Sequence, residues 1–232
     1  MPRTTLLLLP GLLNTRRLFE RQIADLAGIA DCVVPELWHH ESIGAMADAA
    51  LALAPQRFAL AGFSMGGYVA FEIMRRARER VERLALIDTQ AGPDAPEATA
   101  RRHGLLAQTK IGRFHGVQRS LLPQLVHQRH IDDATITQPI FDMAQEVGAD
   151  GFEREQRAII ARPDSRHMLV DIDVPTVVVV GRQDQATPLP RSQEMAADIA
   201  TSRLVVIEEC GHMSPLEKPE EVNAALRRWL AE

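Results

Sequence analysis

The chain has 232 residues, 46% of them hydrophobic, 25% charged and only 4% aromatic, with a formal net charge of −5. That length suits one domain, or one with an insertion, and is ample to bury a core without disulfides or a structural metal. The negative charge removes most of the weight from nucleic-acid and anionic-membrane binding. Two cysteines, Cys32 and Cys210, make neither a disulfide framework nor a C-x-x-C pair, so a reduced compartment is the simpler setting.

The N-terminal run through Leu9 carries one positive charge, is broken by Pro10-Gly11 and has no small-residue cleavage site after it, unlike a secretory signal. No stretch approaches the ~20 apolar residues of a membrane span. The expectation is a soluble, cytoplasmic protein. In chain order, apolar runs of strand length fall at 5–9, 32–35, 57–61, 83–87, 176–180 and 204–207. They are continuous rather than alternating, as strands covered on both faces require. Helical patterns fall at 18–26, 43–53, 65–78, 191–199 and 220–230. The last begins at Pro219, has Glu220 and Glu221 at its positive end, and repeats Val222, Leu226, Trp229 and Leu230 on one face. This β-α alternation predicts crossover connections and a mainly parallel α/β sheet of about six strands with helices on both faces. Between Gly92 and Pro163 the alternation fails, and the segment reads as several helices without a strand. The chain therefore divides into an α/β core, 1–91 and 164–232, and a helical insertion, 92–163, expected to cover one end of the sheet as a lid.

Gly62-Phe63-Ser64-Met65-Gly66 is a G-x-S-x-G pattern between a predicted strand and a predicted helix. A serine on such a turn sits in strained backbone, with tiny residues two positions either side to avoid collision. A Gly-rich phosphate-binding turn is the alternative, but neither G-x-G-x-x-G nor G-K-[ST] is present. A serine hydroxyl near pH 7 needs a base, usually His, oriented by a carboxylate, in the chain order Ser, acid, His. Asp184 and His212 each lie just beyond the C-terminal end of a predicted strand, where open parallel sheets place their sites. Asp88 also ends a strand and is a rival acid; the Gly-Arg-Gln-Asp184 setting and the spacing to His212 favour Asp184. His39-His40 and the scattered His103, His115, His127 and His130 read as ordinary polar residues without metal-binding spacing. No metal and no cofactor are expected.

Together the Ser64 turn, Gly-Arg-Gln-Asp184 with Thr187-Pro188, and Gly211-His212 with Pro215-Leu-Glu-Lys-Pro219 resemble an α/β-hydrolase, over nearly the whole chain outside the insertion. The resemblance implies a small serine esterase with Ser64 as nucleophile, His212 as general base and then acid, and Asp184 as its orienting partner. It also implies an oxyanion hole from two backbone amides, Met65 after the nucleophile and Leu12 after the first strand. Two departures stand out. Pro10 occupies the position where relatives usually carry His, and the usual N-terminal hairpin is missing, so an all-parallel sheet of six strands is expected.

The expected reaction is hydrolysis of a carboxylic ester, or of a lactone or thioester, in a small-molecule acyl substrate. C–C bond hydrolysis, acyl transfer and perhydrolysis fit the same residues. So does a cofactor-free lyase using His212 as base, and a non-catalytic receptor for a small ligand is a further alternative. Ser64 in place of Asp argues against dehalogenation and epoxide opening. Residues 98–131 contain Arg101, Arg102, Lys110, Arg113, Arg119 and Arg129 and no Asp or Glu. A solvated helix face accounts for this segment; a basic surface recruiting an acidic substrate or carrier protein is the alternative.

Overall fold

The computed structural model describes residues 3–232 of the chain. Strand β1 (Thr4–Leu9) leads through a 3-10 turn (Arg16–Phe19) into α1 (Glu20–Leu26), then β2 (Ala30–Val33), α2 (Ile43–Leu53), β3 (Phe58–Phe63), α3 (Met65–Ala77) and β4 (Val81–Ile87). Helices α4 (Pro96–Lys110), α5 (Phe114–Leu125) and α6 (Ala134–Ile160) follow without an intervening strand. The sheet resumes with β5 (Thr176–Gly181), α7 (Leu189–Asp198), β6 (Ser202–Ile207), the short α8 (Ser214–Glu217) and α9 (Pro219–Ala231). Helix α6 is two helical segments joined at Gly148, whose φ of 71° breaks the run.

The six strands run in the order β2-β1-β3-β4-β5-β6, and every neighbouring pair is parallel. Alternate residues serve opposite faces, as strand geometry dictates. Leu7, Leu9, Leu60, Leu84, Leu86 and Val178 pack with α2, α3 and α7 through residues such as Met46, Phe71 and Met195. Leu6, Leu8, Ala59, Ala85, Val177 and Val179 pack on the other face with α1 and α9 through Leu26, Leu226 and Trp229. Strand β3, at the centre, is buried at all six positions.

The sheet matches the sequence-based expectation of about six parallel strands covered on both sides; the differences lie at its edges. Edge strand β2 begins two residues before the apolar run and stops at Val33: Ala30 and Asp31 pair with Thr4 and Thr5, and an edge tolerates an exposed Asp31. Edge strand β6 likewise starts at Ser202 rather than 204, where partial exposure accommodates Ser202 and Arg203. The pattern expected as one helix over 18–26 opens instead as a 3-10 turn whose start is capped by the Thr15 side chain, accepting from the Arg17 N–H.

Candidate active site

In the strand order the chain reverses direction across the sheet between β1 and β3. Beyond the carboxyl ends of those two strands lies the crevice where open α/β sheets bind ligands. The loop after β1 and the turn after β3 both end there.

Ser64 sits on the turn from β3 to α3 with φ 51° and ψ −116°, a left-handed conformation that side chains other than Gly avoid. The surroundings hold it there. Its N–H donates to Ile87 O at 3.0 Å, and its carbonyl accepts from the Gly67 N–H at 2.9 Å and the Thr89 hydroxyl at 2.7 Å. The flanking glycines are steric necessities. A Cβ at Gly62 would stand 2.4 Å from Gly66 O, and one at Gly66 only 2.1 Å from Leu9 O. Helix α3 thus starts directly over the end of β1, which brings Ser64 beside the first loop.

Asp184 and His212 follow β5 and β6, and the structure brings both to Ser64. His212 Nε2 lies 2.9 Å from Ser64 Oγ, and His212 Nδ1 lies 2.8 Å from Asp184 Oδ2. Asp184 is fixed by further hydrogen bonds: Oδ1 accepts from the Ala186 and Thr187 amides at 2.8 and 2.9 Å, and Oδ2 from the Thr187 hydroxyl at 2.7 Å. His212 and Asp184 are buried, whereas Ser64 is partly open. Burial alone would depress the imidazole pKa. The charge and hydrogen bond of Asp184, aided by Asp88 and Glu217, prevail and raise it above its ordinary 6.5.

Asp88 does not reach His212 by a hydrogen bond. It lies fully buried behind the site, where Oδ1 accepts from the Gly181 amide at 2.9 Å and Oδ2 from the Ser214 hydroxyl. Burial and then repulsion from Asp184 push its carboxyl well above its ordinary range. It ties the end of β5 to the start of α8. His39 is exposed and faces Glu36, away from the residues that line the cavity at Ser64.

The loop after β1 carries Leu12, which lines that cavity. Asn14 N–H donates to Gly11 O at 3.2 Å and Leu13 N–H to Glu155 Oε2 at 2.9 Å, and among the described residues the Leu12 N–H has no acceptor. Leu13 itself is left-handed, at φ 59°. Met65 is the first residue of α3, so its N–H is among those without an intrahelical acceptor.

A family model for the alpha/beta hydrolase family matches residues 6–225. The chain belongs to that family. Among curated relatives of this hydrolase, a pimeloyl-[acyl-carrier protein] methyl ester esterase of Neisseria meningitidis serogroup C is 32% identical over 159 residues, covering 63% of this chain and 59% of the relative. A protein of the same name from Vibrio campbellii is 23% identical over 192 residues, covering 74% and 68%. The hydrolase thus spans about three-fifths of the Neisseria relative's length. Among solved structures, a malate-bound thermophilic esterase from Thermogutta terrifontis superposes with a TM-score of 0.89 at 30% identity, over 98% of this chain and 89% of that one. An enol-lactonase from Burkholderia xenovorans also gives 0.89, over 100% and 93%; at 22% identity it shows the shared fold alone.

Two buried carboxylates of the hydrolase escaped the sequence reading. Glu217 Oε1 accepts from the Gly211 and Met213 amides at 3.0 and 3.2 Å, one residue either side of His212. Its Oε2 accepts from the His127 amide at 2.7 Å and lies 2.8 Å from His130 Nδ1. Glu155, on α6, is fully buried, and burial raises its pKa to about 8 against the opposing Leu13 hydrogen bond and Arg154 charge. A helical reading could have flagged Glu155, because it shares the buried stripe of Phe152, Gln156 and Ile159. Glu217 lies within the segment that follows His212, but its contacts to His127 and His130 span 90 and 87 residues and have no local signal.

Helices α4, α5 and α6 complete the cavity. Leu105, Leu121, Leu125, Ile140 and Phe141 supply apolar wall, and Tyr68, Arg101, Arg102, Gln118, Gln124 and Gln156 supply polar groups. Half of the basic segment is neutralised: Arg102 pairs with Asp94, Lys110 with Glu153 and Arg129 with Glu209. Among the described residues, no helix is long and apolar enough to cross a membrane.

Proposed function

We propose that this alpha/beta hydrolase is a serine esterase that cleaves carboxylic esters through an acyl-enzyme. The observation that carries the reading is the unbroken hydrogen-bond chain from Ser64 Oγ through His212 to buried Asp184, mounted on a strained turn at the sheet's switch point. Names of the relatives support the ester class: both curated matches are methyl ester esterases and the 30%-identical structure is an esterase.

In this mechanism Ser64 attacks the ester carbonyl while His212 Nε2 takes its proton. Asp184, hydrogen-bonded to Nδ1, selects the tautomer that leaves Nε2 free to accept and stabilises the imidazolium that forms. The Leu12 and Met65 amides hold the developing oxyanion, an arrangement in which one donor is worth about 10²–10³ in rate. His212 then returns the proton to the departing alcohol and activates water to release the acid and restore Ser64. Helices α4 to α6, within 92–163, act as a lid that shapes the acyl site and excludes water. An acidic carrier protein finds a complementary surface in Arg113 and Arg119, which are exposed and make no ion pair among the described residues.

Ser64→Ala should abolish hydrolysis of short p-nitrophenyl esters by several orders of magnitude while leaving the melting temperature near that of the parent. A fluorophosphonate probe should label the parent and not the variant. Turnover by Ser64→Ala near the parental rate would sink the assignment.

A further inference from the structure

The cavity beside Ser64 is rich in donors, and among the described residues no Asp or Glu lines it. Gln156 is fully buried on α6, and its Oε1 accepts from Arg102 Nη1 at 2.9 Å, which fixes the amide's orientation. Among the described residues its Nε2 is then left without an acceptor, and so is the Nε2 of Gln118, which is 7% exposed. Buried polar groups in native proteins are nearly always paired, and these two residues line one cavity, so their amides are available to an acceptor that a ligand brings.

The charges behind that wall point to an anionic acceptor. Asp94 is shared between Arg102 and Arg162. Burial opposes its ionisation, but the two guanidiniums prevail and hold its carboxyl below the usual range, so the trio keeps a net positive charge. Arg162 also stacks over the ring of Tyr68, 4.2 Å from its centroid, and Tyr68 lines the cavity. Arg101, one residue before Arg102, is exposed where it borders the cavity and makes no ion pair among the described residues.

We propose that the cavity takes an ester whose acyl chain carries a second, free carboxylate, received by Arg101 and the side-chain amides of Gln118 and Gln156 while the apolar walls hold the methylenes. A planar carboxylate suits both partners, accepting from a guanidinium fork and from amide N–H groups. The acyl half is the one that stays tethered to Ser64 through both steps, so its recognition serves the whole cycle. This inference rests on the esterase reading of Ser64.

The test compares p-nitrophenyl monoesters of dicarboxylic acids of increasing length with p-nitrophenyl esters of monocarboxylic acids of matching length. The full chain should favour the carboxylate-bearing ester at an optimal length, where the chain spans from Ser64 to the donors. In Arg101→Gln and in Gln156→Leu, the ratio of kcat/KM for the charged ester to that for the neutral one should fall by about ten- to a hundredfold. The ratio cancels any loss of folded protein, and the exposed Arg101 keeps the test valid if Gln156→Leu is unstable. A ratio at or below one for every length, with both esters still cleaved through Ser64, overturns the carboxylate site and leaves the esterase intact. A preference that is equal at all lengths and vanishes in about 0.5 M salt also overturns it, since that is long-range steering rather than a site. Cleavage of neither ester overturns both readings.

Discussion

Glu217 brackets His212 from behind, and its role follows from how many donors share one carboxylate. The Gly211 amide ends on Oε1, the Met213 amide is shared between Oε1 at 3.2 Å and Leu125 O at 2.9 Å, and Oε2 reaches across to the His127 amide and His130. An ionised carboxylate only accepts, so it satisfies all of these at once; an amide in its place must turn an N–H group toward one of the two pairs. Glu217→Gln should therefore lower stability by about 1–3 kcal/mol and reduce kcat for esters more than it raises KM, because the imidazole loses its fixed aim. Thermal melts and steady-state kinetics on the same preparation check this. A variant that melts with the parent would show that the bracket is incidental.

At the scale of elements, the turn from β3 to α3 is set by sterics more than by side-chain bonds. A methyl group at Gly66 would meet the carbonyl oxygens of Leu9 and Pro10 at 2.1 and 2.8 Å, and backbone atoms of a central strand cannot move aside cheaply. Gly66→Ala should cost about 3 kcal/mol or more. Gly28→Ala is the control, since a Cβ there meets nothing within 4 Å, and it should stay within about 0.5 kcal/mol of the parent. Urea titrations of both variants give the comparison, and equal midpoints would refute the steric account. The same turn shows why so much was legible in the sequence. Residues 58–67 encode strand, strained serine and helix start within one short window, and the positions of Asp184 and His212 follow from the ends of two continuous apolar runs. The edges were harder, because Asp31 and Arg203 are polar and break the apolar pattern, yet pair with Thr5 and Val177 in strands β2 and β6. Glu217 and Glu155 were harder still: their partners lie up to 90 and 142 residues away, and local pattern carries no trace of such contacts.

Across the whole molecule, Glu155 links helix α6 to the loop that bears Leu12, through the Leu13 amide at 2.9 Å. Among the described residues its other oxygen is buried without a partner, so the charged form is poorly supported and the carboxyl holds its proton up to about pH 8. In the unfolded chain the same group ionises near its ordinary 4.5. Between those values the folded protein keeps a proton that the unfolded chain has released, so raising the pH favours unfolding. Stability should fall on that account from about pH 5 to pH 8, by an amount on the order of a few kcal/mol, and level off above. Glu155→Gln keeps an acceptor for the Leu13 N–H and has no proton to lose. Its melting temperature should accordingly fall less than the parent's over this range, and it should exceed the parent's at pH 9. Parallel profiles for the two proteins would mean that Glu155 is solvated when charged, and the link between α6 and the loop would then not be titratable.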